Sequence, residues 1–173
     1  RPPRSTRKES SAASDVYKRQ VFNAAFIPSY AGEHASGKIK GKKFADEVFN
    51  LLIIVLLGIV FLVEIFTPVV VYLIAPGFYK DIEKFNLVVD LTRVTFPFLF
   101  FVSLSSFFSG ILNFNNKFAA AAAAPIILNI FLIFSLFISY FFKLNFEFNL
   151  SYAVTLAGLF QLIFLMFFTR YYY

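Results

Sequence analysis

An all-α integral membrane protein built from antiparallel transmembrane helices is what the sequence predicts, on three observations. Of its 173 residues, 59% are hydrophobic and 15% charged, which is more apolar surface than one water-soluble core can hide. Four continuously apolar runs reach the ~20 residues that a helix needs to cross a bilayer. The segments joining those runs are short, so neighbouring helices must run antiparallel and side by side. An outer-membrane barrel would instead show runs of about ten residues alternating apolar and polar.

The same composition excludes other classes. With no cysteine, the chain has neither a disulfide framework nor a thiolate metal site. The net charge of +6 is unevenly placed: residues 1–20 carry six Lys/Arg and two Asp/Glu, leaving a balance of +2 over the remaining 153 residues. That is far from the basic stripe that nucleic-acid binding requires. Membrane lipids are the expected partners. Arg1 to Gln20 lacks the apolar core of a signal peptide. Its SAASDVYKRQ tail resembles a translated adaptor or vector scar, and the composition changes abruptly at Val21. Residues 1–20 are therefore read as a probable disordered extension foreign to the fold, with a native basic arm as the alternative, and residues 21–173 as the transmembrane portion.

Span one is predicted from Phe49 to Ala75, roughly 40 Å of helix. Glu64 and Pro68 interrupt it, and Pro76-Gly77 closes it. Span two runs from Leu87 to Leu112, with Asp90 and Arg93 in its first turns and Pro97 inside. Span three, Phe118 to Phe142, is uncharged and carries Pro125 and Asn129. Span four, Phe148 to Thr169, is likewise uncharged, and Gln161 is its most polar side chain.

Charge inside a membrane needs a reason. Asp90 and Arg93, three apart, can pair on one helix face near the interface. Glu64 either lines a wet cavity or reaches the outer headgroups. The pairs Ser105/Ser109, Ser106/Gly110, Ala120/Ala124 and Ser135/Ser139 are read as close-packing positions between helices rather than ligand contacts. Gly37 and Gly41 match the same small-residue spacing, but in a charged loop where that argument does not apply. Asn149-Leu-Ser151 is read as a helix N-cap rather than a glycosylation site. His34, the only histidine, is read as ordinary loop surface. No metal-ligand set, nucleophile–base pair or phosphate loop accompanies it, so neither metal, cofactor nor enzymatic role is expected.

Several stretches carry a resemblance: FNAAFIPSYA from Phe22, APGF from Ala75 followed by EKF from Glu83, LTRVTFP from Leu91, GILN from Gly110, then Phe118, Ala124-Pro125 and Leu128-Asn129. In order and spacing they resemble the lipid II flippases of the MurJ (MviN) type, within the multidrug/oligosaccharidyl-lipid/polysaccharide exporter superfamily. The resemblance implies a fold of about fourteen helices in two lobes, of which this chain would hold the end of the second helix and the third to sixth, a partial first lobe. It implies transport of the undecaprenyl-linked peptidoglycan precursor across the bacterial cytoplasmic (inner) membrane by alternating access, with no bond made or broken. It also maps the turn residues Gly110 and Asn113, the pair Pro125 and Asn129, and Pro28 and Pro97 as helix-shape residues. With Glu64 and Arg93 these are the candidate cavity or helix-shape positions. The family's essential cavity arginines lie mostly upstream of Phe22 and cannot be carried over. Two other readings stay open: an exporter of drug or O-antigen lipid from the same superfamily, and a non-transporting membrane anchor or assembly protein.

Lysines mark the cytoplasmic side of a membrane protein. Lys38, Lys40, Lys42 and Lys43 precede span one, and Lys117 and Arg170 fall on the same side, whereas Lys80, Lys84 and Lys143 opposite are offset by Asp81, Glu83 and Glu147. A cysteine at Ser36 should therefore react with a membrane-impermeant maleimide only after the cytoplasmic face is opened; labelling of intact cells would reverse the topology.

Overall fold

The structure, a computed structural model, describes residues 25–172, and the extension over Arg1 to Gln20 lies outside them. The described residues are helical nearly throughout, with no strand among them. Helix α1 occupies residues 25–35. It is followed by α2 (Lys38–Ile74), a 3-10 turn (Pro76–Lys80), α3 (Ile82–Thr95), α4 (Pro97–Phe114), α5 (Phe118–Phe142) and α6 (Phe146–Tyr172). Four stretches are long and apolar enough to cross a membrane: α2, α3 and α4 taken together, α5, and α6 as far as Arg170.

Helix α2 begins well before the apolar run, at Lys38 rather than Phe49. Four of its eleven added residues are Lys, with Ala45 and Glu47 beside them, good helix formers whether or not lipid surrounds them. This corrects the reading of Lys38–Lys43 as a charged loop. Gly37 caps the helix at φ 141°, a conformation side chains rarely adopt. A Cβ on buried Gly41 would lie 2.9 Å from the His34 Cα. The glycine pair thus folds α1 tightly back onto α2. His34 is accordingly no loop residue: it sits half-buried in the last turn of α1, its ring 5.8 Å from that of Tyr30 and 5.5 Å from that of Phe114.

Prolines shape two of the crossings. At Phe66, α2 leaves helical geometry (φ −97°, ψ 16°). Pro68 has no N–H to give the Glu64 carbonyl and its ring crowds that oxygen. Thr67, buried, supplies the missing donor: its Oγ1 lies 3.0 Å from the Glu64 carbonyl and 2.8 Å from that of Val63. Span two divides at Phe96–Pro97 into α3 and α4, because Pro97 cannot donate to the Arg93 carbonyl. Beside this break the Val94 carbonyl accepts a hydrogen bond from Thr155 Oγ1 of α6.

The turns have local causes. Asp81 caps α3, its carboxylate accepting the Lys84 N–H at 3.3 Å and lying 2.8 Å from the Lys84 ammonium, which holds that carboxyl below the usual carboxylate range. After α4, Asn116 takes a positive φ of 58° while the Lys117 N–H donates to the Leu112 carbonyl at 2.8 Å. This left-handed stop satisfies the carbonyls that a helix leaves open. Lys143 (φ 51°) ends α5 in the same way, with Leu144 N–H donating to the Ser139 carbonyl.

Helix α6 is the packing centre, lying along α4 and α5 and reaching α3. Asn149, in its first turn, is not a cap: its backbone N–H donates to the Asn145 carbonyl, and its Nδ2 donates to Ser139 Oγ on α5 at 2.9 Å. Leu112, Ala124 and Leu165 join α4, α5 and α6 in one buried cluster. Phe26, Tyr30, Ala45, Phe107 and Ile111 form another that ties α1 to α2 and α4. Gly158 on α6 faces Phe98 so closely that a Cβ there would lie 2.7 Å from the ring.

Gly158→Val should destabilise the protein by about 1–3 kcal/mol through overpacking, seen as a lowered midpoint of thermal unfolding in detergent. Gly58→Val, where a Cβ meets nothing within 4 Å, should leave the midpoint near its original value. Equal shifts would show that the α4–α6 contact is not made as described.

Candidate functional site

Helical spacing sets three polar side chains of α4, Ser106, Ser109 and Asn113, on one face. Opposite them α5 presents Ala121, Ala122, Ala124 and Pro125, and from α6 comes Gln161. Together they enclose a cavity of about 300 Å3, which Val102 and Phe118 complete. Its walls carry no charged side chain. The small residues of α5 leave the space, and the polar residues of α4 and α6 give it hydrogen-bonding capacity.

That capacity is largely unused among the described residues. Ser106 Oγ donates to the Val102 carbonyl of its own helix at 2.9 Å. The side chains of Ser109, Asn113 and Gln161 make no hydrogen bond to another described residue, although Gln161 is only 7% exposed. Pro125 has no N–H to offer the Ala121 carbonyl on the cavity wall. Donors and acceptors therefore line one small, half-open hollow, with Phe118, Ala122 and Pro125 exposed at its rim, a composition that suits a ligand site.

The candidate residues are partly gathered here. Asn113 and Pro125 line the cavity, and Gly110 is buried one turn from Asn113. Asn129 lies a turn beyond Pro125 and is exposed, outside the cavity lining. Pro28 sits exposed on α1, and Pro97 marks the α3–α4 break; neither lines the cavity. The close-packing reading of the small pairs fits Ser105, Ala124, Ser135 and Ser139, all buried, but Ser106 and Ser109 line the cavity instead. Gln161 is not among the sequence candidates; the signal for it is a side-chain amide in the middle of an uncharged span, where Asn149 lies at the span's start.

Glu64 and Arg93 form a second place. Glu64 stands ten residues before the end of α2 at Ile74, and Arg93 eleven residues after the start of α3 at Ile82. In an antiparallel hairpin the two thus lie at similar depth, about 15 Å from the connecting turn. Glu64 Oε1 is buried without a hydrogen-bond partner among the described residues, and Arg93 is the cation at that depth on the neighbouring helix. The expected Asp90–Arg93 pair does not form: no ion pair joins them, and both are exposed. An exposed pair three apart gains only a few tenths of a kcal/mol. No group of three or more metal-binding side chains occurs among the described residues.

Residues 19–172 match the family model described as Lipid II flippase MurJ. The chain belongs to the lipid II flippase MurJ family. Among curated relatives, a probable lipid II flippase MurJ of Rhizobium tropici is 46% identical over 123 residues, covering 70% of this chain and 23% of that protein. One from Rickettsia prowazekii is 42% identical over 118 residues, 68% of this chain and 23% of the relative. One from Buchnera aphidicola subsp. Acyrthosiphon pisum is 35% identical over 151 residues, 86% and 29% respectively. The matched region spans about a quarter of the length of these relatives. Family membership and four apolar crossings together make this an all-α, multi-pass membrane protein.

A double-mutant cycle should find Glu64 and Arg93 coupled. Arg93→Ala should cost stability in the parent, and about 0.5–3 kcal/mol less in a Glu64→Gln background, while Asp90→Asn should leave the effect of Arg93→Ala unaltered. Additive effects of Glu64→Gln and Arg93→Ala in unfolding titrations would remove the interaction.

Proposed function

We propose that this chain forms part of the first lobe of a flippase that moves the undecaprenyl-linked peptidoglycan precursor, lipid II, from the inner to the outer leaflet of the bacterial cytoplasmic membrane by alternating access. The observation that carries this reading is the family match, which extends along the whole described chain. The lysine-rich start of α2 and the end of α6 lie in the cytoplasm. The process is transport, so the residues are asked to bind, shield and move a headgroup rather than to make or break a bond.

Two features of the chain suit that task. A lipid headgroup can cross only if polar groups inside the membrane replace its water, and the α4–α5–α6 cavity supplies such groups. Alternating access needs elements that bend at defined points, and the proline breaks in α2 and between α3 and α4 are such points. At each break a threonine hydroxyl meets a nearby carbonyl, so small rotations there can exchange partners without stranding the backbone in lipid.

The test is a chimera in which this chain replaces the matching segment of the Rhizobium tropici relative. In cells depleted of their own lipid II flippase it should restore growth and the exposure of lipid II to a periplasmic hydrolase. A chimera that inserts in the membrane at normal levels yet leaves lipid II confined to the inner leaflet would refute the reading.

A further inference from the structure

We infer that the α4–α5–α6 cavity is a binding subsite for an uncharged group rich in hydroxyls and amides, a sugar or peptide portion of a headgroup, and not for a phosphate. The argument begins with Gln161. The residue is 7% exposed, lines the cavity and makes no side-chain hydrogen bond to another described residue. What its amide reaches is therefore the cavity itself, and an amide both donates and accepts. Asn113 repeats that dual capacity, and Ser109 adds a hydroxyl.

The set is balanced between donors and acceptors and bears no net charge. A phosphate or carboxylate placed there would lose its hydration with no cation to replace it, and an ammonium would find no anion. Hydroxyl and amide groups carry donors and acceptors together and would be matched. The volume, about 300 Å3, is at the lower end for ligand pockets and far smaller than a whole lipid-linked headgroup, so the cavity holds one part of such a molecule. Phe118, 59% exposed at the rim, offers an apolar ring face to the carbon side of a sugar. A neutral polyol group could come from a lipid-linked glycan or from the glycerol headgroup of a phospholipid. The choice of the glycan rests on the flippase reading, whereas the neutral chemistry of the site does not.

This chain has no cysteine of its own, so Ser109→Cys serves as the reporter once any cysteine in the rest of the protein is replaced. In proteoliposomes of the intact protein, the rate of N-ethylmaleimide labelling at this position is measured with lipid II, with undecaprenyl pyrophosphate, and with phosphatidylglycerol alone. Lipid II should slow labelling severalfold, the other two should not, and Gln161→Leu should abolish the protection. Ala122→Cys serves as reporter should Ser109→Cys fail to fold. Equal protection by undecaprenyl pyrophosphate would mean that the site reads phosphate or hydrocarbon, and protection by phosphatidylglycerol that it is a phospholipid site; either overturns the inference. So would a cysteine that stays unlabelled in probe-free liposomes yet reacts after unfolding, since another part of the protein would then fill the cavity. Retention of lipid II by the protein without protection of the cysteine defeats the subsite and spares the flippase reading, whereas failure of lipid II to bind defeats both.

Discussion

In a bilayer the backbone has no water to turn to, and the structure is organised around that fact. Each N–H and C=O must find a partner within the protein. Continuous helices solve this until a proline arrives, which withdraws one donor and pushes one carbonyl aside. The chain meets two of its breaks with threonine. Thr67 answers the Glu64 carbonyl within its own helix, and Thr155 reaches from α6 to the Val94 carbonyl beside Pro97. The first repair is local and lets α2 bend by itself. The second is interhelical and ties the α3–α4 break to α6.

The same constraint explains the prominence of α6. Apolar side chains gain little by leaving lipid for one another, so helix association depends on close approach and a few polar contacts. Gly158 gives the approach to Phe98 on α4. Asn149 gives the polar contact to Ser139 on α5, and the Leu112–Ala124–Leu165 cluster fills the space between the three helices. On the α5 side the run of alanines ahead of Pro125 is too small to fill what remains, and the cavity is the remainder. Its polarity comes from α4 and α6, its volume from α5.

Much of this was legible in the sequence, and the limits have physical causes. The number and class of the crossings follow from apolar runs, because lipid imposes length and continuity on any chain that spans it. Pro68 and Pro97 mark where α2 leaves helical geometry and where α3 gives way to α4, because a missing N–H interrupts the helical ladder. What failed were statements that depend on which neighbour a side chain meets. Asp90 and Arg93 share a helix face, but no ion pair joins them. Asn149 has the composition of a cap, yet α6 starts at Phe146 and frees its amide for Ser139. Gly37 and Gly41 were dismissed because Lys38–Lys43 looked like a loop, while the helix formers there continue α2 beyond the membrane and bring His34 against Gly41. Asn113 and Pro125 were marked by resemblance, but their meeting with Gln161 is a product of three helices and has no signature along the chain.

The two polar places differ in a way that bears on mechanism. The α2–α3 hairpin holds charge of both signs at one depth, beside the Phe66 bend. The α4–α5–α6 cavity holds only neutral groups. Charges act on one another over a distance and with little regard to direction. Neutral amides and hydroxyls interact only on contact and in a fixed direction, so they discriminate by shape and number rather than by charge. Between the two lies the α3–α4 break, bonded through Val94 and Thr155 to the helix that also carries Gln161.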